Sequence, residues 1–360
     1  MGVSPRPSSL RSLTWWGYIA LTYGLAAVAG TIASQFKVPL PWMLGPFFAF
    51  AILSITGARF SLLPMGRELG QVAIGMAVGL HFTSAVLLAT LALLPAMALA
   101  TGYVMAYTLI AAFLFGSLAK VDNTTAFFAT AAGGVADMAI VAKKHGGVAG
   151  SVAIVHAMRV SMVVAIVPFM VFFFGESGIK HALVANTTSN ITLVVVALCL
   201  GYLAALLLKP TPLPNPRLIG PVIMGIVIGT SGLITVDIPS IVIVVAQVML
   251  GSWLGCQFKR DVLSALPRVT VAAIVVAMFT ISCAGIGSFG LSAMTDLPVT
   301  TSFLALAPAA VTEMVLTAQV MNLDAEIVTA FHVMRIAVVS STILLVFKLY
   351  LKLRRISHGS

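Results

Sequence analysis

His156 and Arg159 stand three positions apart in AIVHAMRV (153–160), and His332 and Arg335 repeat that spacing in HVMR (332–335). Residues three apart share a helix face. The surroundings of both pairs are otherwise apolar. An Arg or Asp at the centre of a bilayer costs at least about 2.5–3.5 kcal/mol, so these side chains are expected to point into the protein and find partners. Asp137 in AAGGVADM (131–138) and Glu313 in APAAVTEM (307–314) are the obvious candidates. Arginine offers a planar fork to an oxyanion, and histidine or the acids can carry a coupling proton. The chemistry expected is a midplane cavity that binds a small anionic or polar solute, with proton or sodium coupling. Spacing does not decide which acid meets which arginine. Permanent pairs that only fix helix register are the competing reading.

The elements that must carry these residues are membrane spans. The 360 residues are 60% hydrophobic and 8% charged, against roughly 25% charged in soluble domains. Apolar stretches near the roughly 20 residues needed to cross a bilayer recur from Leu13 to the C-terminus, so the bilayer is the main partner. The formal charge of +10 comes from basic residues scattered between apolar segments rather than gathered on one face, which argues against nucleic-acid binding and for membrane orientation. Cys199, Cys256 and Cys283 have no CxxC spacing, so neither a disulfide framework nor a thiolate metal site is expected. The stretch from Leu13 to Ala33 is long enough to span and is read as the first helix rather than a signal peptide.

The chain reads as two halves, 13–180 and 189–350. A shift of 176 positions aligns QVAIGMAVGLHF (71–82) with QVMLGSWLGCQF (247–258), AAGGVADM with APAAVTEM, and HAMR (156–159) with HVMR. PWMLGP (41–46) faces PRLIGP (216–221) one residue out of step. Histidine on histidine and arginine on arginine at one shift mark an internal duplication. The first half offers apolar segments at about 13–33, 40–57, 67–82, 85–117, 124–142 and 147–175.

Lysines and arginines arbitrate how many of these cross. If 124–142 and its repeat near 299–320 dip in and return, all basic residues except Lys37, Lys180, Arg159 and Arg335 fall inside. Glu176, Asp237, Asp296, Asp324 and Glu326 then face outward. The expectation is an all-α polytopic protein of two inverted repeats, each with five transmembrane helices plus one re-entrant or broken hairpin, and with both termini cytoplasmic. Gly133 and Gly134 permit the interruption in the first half, and Pro308 forces it in the second. Interrupted segments at equivalent places in two halves point to a transporter's binding site. Gln71 and Gln247 open glycine-rich helices and either line that cavity or make interhelical hydrogen bonds. No HxxxH or ExxH spacing and no cofactor fingerprint occurs, so no metal, cofactor or enzymatic activity is expected. A homodimer is compatible with the sequence.

The motifs LPWMLGP, AAGGVADM with HAMR, and PAAVTEM with HVMR resemble the duplicated bacterial AbrB-type membrane family, over about 13–350. Members are labelled ammonia monooxygenase or regulator of gene expression. The resemblance implies a multi-pass protein of the bacterial inner membrane. The monooxygenase label finds no metal site in these residues, and nothing resembles the small DNA-binding regulator that shares the name. The leading expectation is a secondary transporter working by alternating access; the second is a membrane sensor affecting gene expression.

Overall fold

The computed structural model describes residues 9–174, 190–211, 213, 215–232, 236–258, 260 and 266–358. Fifteen helices, and no strand, occur among them: α1 (Ser9–Gln35), α2 (Pro41–Ile55), α3 (Gly66–Leu80), α4 (Ser84–Ala92), α5 (Leu94–Ala119), α6 (Asn123–Thr130), α7 (Val135–Lys144), α8 (Ala149–Phe174), α9 (Ile191–Leu208), α10 (Pro216–Ser231), α11 (Ser240–Gly255), α12 (Pro267–Thr295), α13 (Val299–Leu306), α14 (Val311–Val320) and α15 (Ala325–His358). Six of these, α1, α5, α8, α9, α12 and α15, are long and apolar enough to cross a bilayer, as suits a multi-pass membrane protein. Helices α2, α3, α10 and α11, also expected to cross, have 15 or 16 residues, about 22–24 Å at about 1.5 Å per residue. The expected span 85–117 is divided. Helix α4 stops at Leu93, the proline that follows occupies the first turn of α5, and α3 meets α4 at 94°. Proline suits that position because its missing N–H has no intrahelical partner there.

The duplication extends to the backbone. Left-handed residues recur in pairs: Lys120 with Asp296 and Gly146 with Asn322 at a shift of 176, Leu40 with Asn215 and Gly57 with Gly232 at a shift of 175. Left-handed backbone costs a β-carbon-bearing residue roughly 1–2 kcal/mol. Recurrence at a buried leucine therefore reflects a shared turn rather than local preference. Leu40 and Asn215 are the N-caps of α2 and α10, each followed by proline.

Two compact units form, and they cut across the sequence halves: residues 1–70 with 240–263, and 71–239 with 264–360. In the smaller unit α2 packs along both α1 and α11, where Gly251 and Gly255 lie against the carbonyls of Met43 and Phe47. In the larger unit the equivalent Gly75 and Gly79 of α3 lie against the carbonyls of Leu218 and Val222 of α10. A β-carbon at either would fall 2.7 or 2.5 Å from oxygen, so these glycines set a close helix approach. The rest of the larger unit builds the site. Helices α5 and α8 hold α6, α8 holds α7, α12 and α15 hold α13, and α15 holds α14; α5 also packs on α12 and α15.

Candidate functional site

Each half contains a helix that stops and restarts. Asp122 caps α6 by accepting from the N–H of Thr125, and α6 ends where Ala131 turns extended (φ −53°, ψ 144°). Helix α13 ends at the equivalent Ala307 (φ −57°, ψ 135°). Pro308 explains the second ending, because a proline bars the residue before it from helical backbone. Ala131 adopts the same conformation without a proline after it. Helices α7 and α14 then restart after Gly134 and Ala310, neither of which supplies a side-chain cap. Gly133 and Gly134 do interrupt the first half, but not through glycine's conformational range: neither has positive φ. At Gly134 a β-carbon would fall 2.6 Å from Oδ2 of Asp137, which folds back toward the start of its own helix.

The histidine–arginine pairs clamp these stops. Arg159 on α8 donates through Nη1 to the carbonyls of Thr130 (2.8 Å) and Ala131 (3.1 Å), and through Nη2 to Nδ1 of His156 (3.0 Å). Arg335 on α15 donates through Nη1 to Ala307 (2.8 Å) and through Nη2 to Ala309 (3.1 Å) and to Nδ1 of His332 (2.7 Å). Nε2 of His156 reaches the carbonyl of Phe128, and Nε2 of His332 that of Leu304, both at 2.9 Å. The last two carbonyls are again 176 positions apart. All four side chains are buried. Most of these carbonyls lie at the C-terminal ends of α6 and α13, the negative pole of each half-helix; those of Leu304 and Ala307 also accept from the N–H groups of Ala307 and Ala309. Two clamped helix breaks at matching places are what the repeated spacing of HAMR and HVMR encodes.

The arginines therefore meet backbone oxygen rather than the expected acids. Among the described residues neither arginine forms an ion pair. Equivalence also fails for the acids themselves: Glu313 is buried and Asp137 exposed. The histidine geometry fixes the tautomer. Guanidinium has no acceptor, so each Nδ1 accepts and the proton sits on Nε2, donated to a carbonyl.

Gln71 donates through Nε2 to Oγ1 of Thr312, 3.1 Å away in the first turn of α14. Gln247 is buried, and its Oε1 has no hydrogen-bond partner. The residue equivalent to Thr312 is Ala136, which lacks a hydroxyl. Pro308 is buried within the second break. Sequence reasoning missed Tyr107 on α5. It is buried, donates to the carbonyl of Leu306 at 2.9 Å, and stands within electrostatic reach of both Arg159 and Arg335. A lone tyrosine in an apolar helix gives little signal, although its counterpart across the repeat, Cys283, differs in kind. A void of about 10 Å³ beside the first break, lined by Thr108, Phe127, Ala131 and Ala132 among others, is room for about one water. Among the described residues no group of three His, Cys, Asp or Glu is arranged to hold a metal.

A duplicated polytopic helical protein with a clamped, interrupted helix in each half is the class these features define. The family model described as "Transition state regulatory protein AbrB" matches residues 42–351, and the chain belongs to that family. Two relatives match nearly end to end. "Uncharacterized protein YhjN" of Bacillus subtilis (strain 168) is 24% identical over 343 residues, covering 88% of each chain. "Putative regulator AbrB" of Escherichia coli (strain K12) is 24% identical over 338 residues, covering 89% of this chain and 92% of its own.

Proposed function

We propose that this protein is a secondary transporter for a small anionic solute, working by alternating access around the two broken helices. The observation that carries the reading is the pair of buried guanidiniums at the breaks: Arg159 and Arg335 lie within electrostatic reach of each other, and among the described residues neither forms an ion pair. Two buried like charges are costly unless something of opposite sign arrives. A small anion, alone or accompanied by a proton or sodium ion, offsets them. Nε of both arginines is buried without a hydrogen-bond partner, leaving each guanidinium a donor to spare. Inversion of the repeats, placement in a bacterial inner membrane and cytoplasmic termini belong to the same proposal, supported by the distribution of basic residues.

The test is uptake by proteoliposomes of labelled carboxylates and inorganic anions under imposed proton or sodium gradients. Saturable accumulation is expected for one anion class. Arg159→Lys and Arg335→Lys keep the charge but lose the fork, and should each reduce uptake at least about tenfold with assembly retained. A sensor is the second reading, favoured by the word "regulator" in the name of the Escherichia coli relative. Saturable binding with no flux under any gradient decides for it.

A further inference from the structure

The two broken helices are equivalent in sequence position and in their arginine clamps, yet they are not in equivalent surroundings. Helix α14 is buried from Val311 through Ala318, whereas α7 exposes Asp137, Ile140, Lys143 and Lys144. Ile140 is 56% exposed and its counterpart Leu316 is 0% exposed. Two hydrogen bonds distinguish the second break, and both come from side chains of the first half: Tyr107 to the carbonyl of Leu306, and Gln71 to Thr312. Neither can form at the first break. The counterpart of Tyr107 is Cys283, a short and weak donor, and the counterpart of Thr312 is Ala136.

We infer that Tyr107 and Gln71 form a latch that holds α13 and α14 closed while α7 stands open, and that releasing it yields the second access state. This rests on the alternating-access reading above. The physical ground is that duplicated elements with the same clamp have nearly the same intrinsic preference, so a small difference in ties decides which one is sealed. The second state exchanges the surroundings of the two breaks: Leu316 and Glu313 become accessible and Ile140 becomes covered. Tyr107 and Gln71 are thus positioning residues, acting on the breaks through Leu306 and Thr312.

Single-cysteine reporters I140C and L316C, in a background with Cys199, Cys256 and Cys283 replaced by serine, test the latch. Membrane-impermeant maleimide is applied to both faces of proteoliposomes. I140C should label readily and L316C slowly. Adding Tyr107→Phe, which removes one hydroxyl, should raise the L316C rate about tenfold and lower that of I140C. Gln71→Ala should act in the same direction. Cys283→Tyr, used in place of the serine at that position, should do the reverse and slow I140C. Unchanged L316C rates in both latch variants, with thermal unfolding midpoints preserved, overturn the inference, as does an I140C that fails to label in the otherwise unaltered background. The labelling needs no solute and no flux. A protein that carries no anion yet shows the exchange supports the latch and overturns the transport reading.

Discussion

His156 and His332 each do two jobs with one ring, accepting from an arginine and donating to a helix-terminal carbonyl. Removing the His156 ring leaves a guanidinium N–H and the Phe128 carbonyl buried without that partner, at about 1–3 kcal/mol each; at position 332 the Leu304 carbonyl still accepts from the N–H of Ala307, and Nη2 of Arg335 still donates to Ala309. His156→Phe is expected to destabilise the folded protein by about 2–5 kcal/mol and His332→Phe by about 1–3 kcal/mol, read from denaturant titration in detergent. A loss below about 0.5 kcal/mol would mean that the contacts are not made. The sequence disclosed these residues, because charge and imidazole stand out against an apolar background and recur at one shift. It did not disclose their partners. Side-chain spacing carries no record of which carbonyls an interrupted helix leaves free, and a carboxylate is the partner that pattern alone suggests. Asp137 illustrates the same blind spot: its alignment with Glu313 implied equal burial, and burial depends on what neighbouring elements tie down.

Interrupted segments were legible at the scale of the element, but the cause of the interruption was only half so. Pro308 announces its break by covalent geometry. The glycines of the first half suggest left-handed backbone that the chain does not use, since Ala131 leaves the helix in the ordinary extended conformation. That equivalence makes a prediction at position 132, which corresponds to Pro308. Ala131 already has the backbone that precedes a proline. Ala132→Pro is therefore expected to be tolerated, and to stabilise by about 0.4–1 kcal/mol by restricting the unfolded chain. Thermal unfolding in detergent measures it. A loss above about 2 kcal/mol would show that the first break needs a backbone that proline denies. The division between α4 and α5 was missed, although Pro95 lay in plain view, because apolarity without interruption reads as one span whatever the chain does inside it.

For the whole molecule, duplication was the most legible property and orientation the least. Matching turns, clamps and glycine approaches recur through both halves because each half solves the same local problems with the same residues. Relative direction leaves no such mark except in charge. Lys120 and Asp296 hold equivalent C-terminal positions of α5 and α12 in the same left-handed conformation, yet one is basic and the other acidic. Under the positive-inside bias the lysine belongs in the cytoplasm. If the halves are inverted, the equivalent end of α12 emerges on the opposite face, where an acid carries no such constraint. Impermeant thiol labelling of Lys120→Cys and Asp296→Cys in intact cells and inverted vesicles should therefore give opposite answers, with Lys120→Cys reached only from the cytoplasmic side. Labelling of both from one side would mean parallel repeats. The breaks would then approach the membrane from the same direction, and an exchange of surroundings between α7 and α14 could no longer switch access from one face to the other.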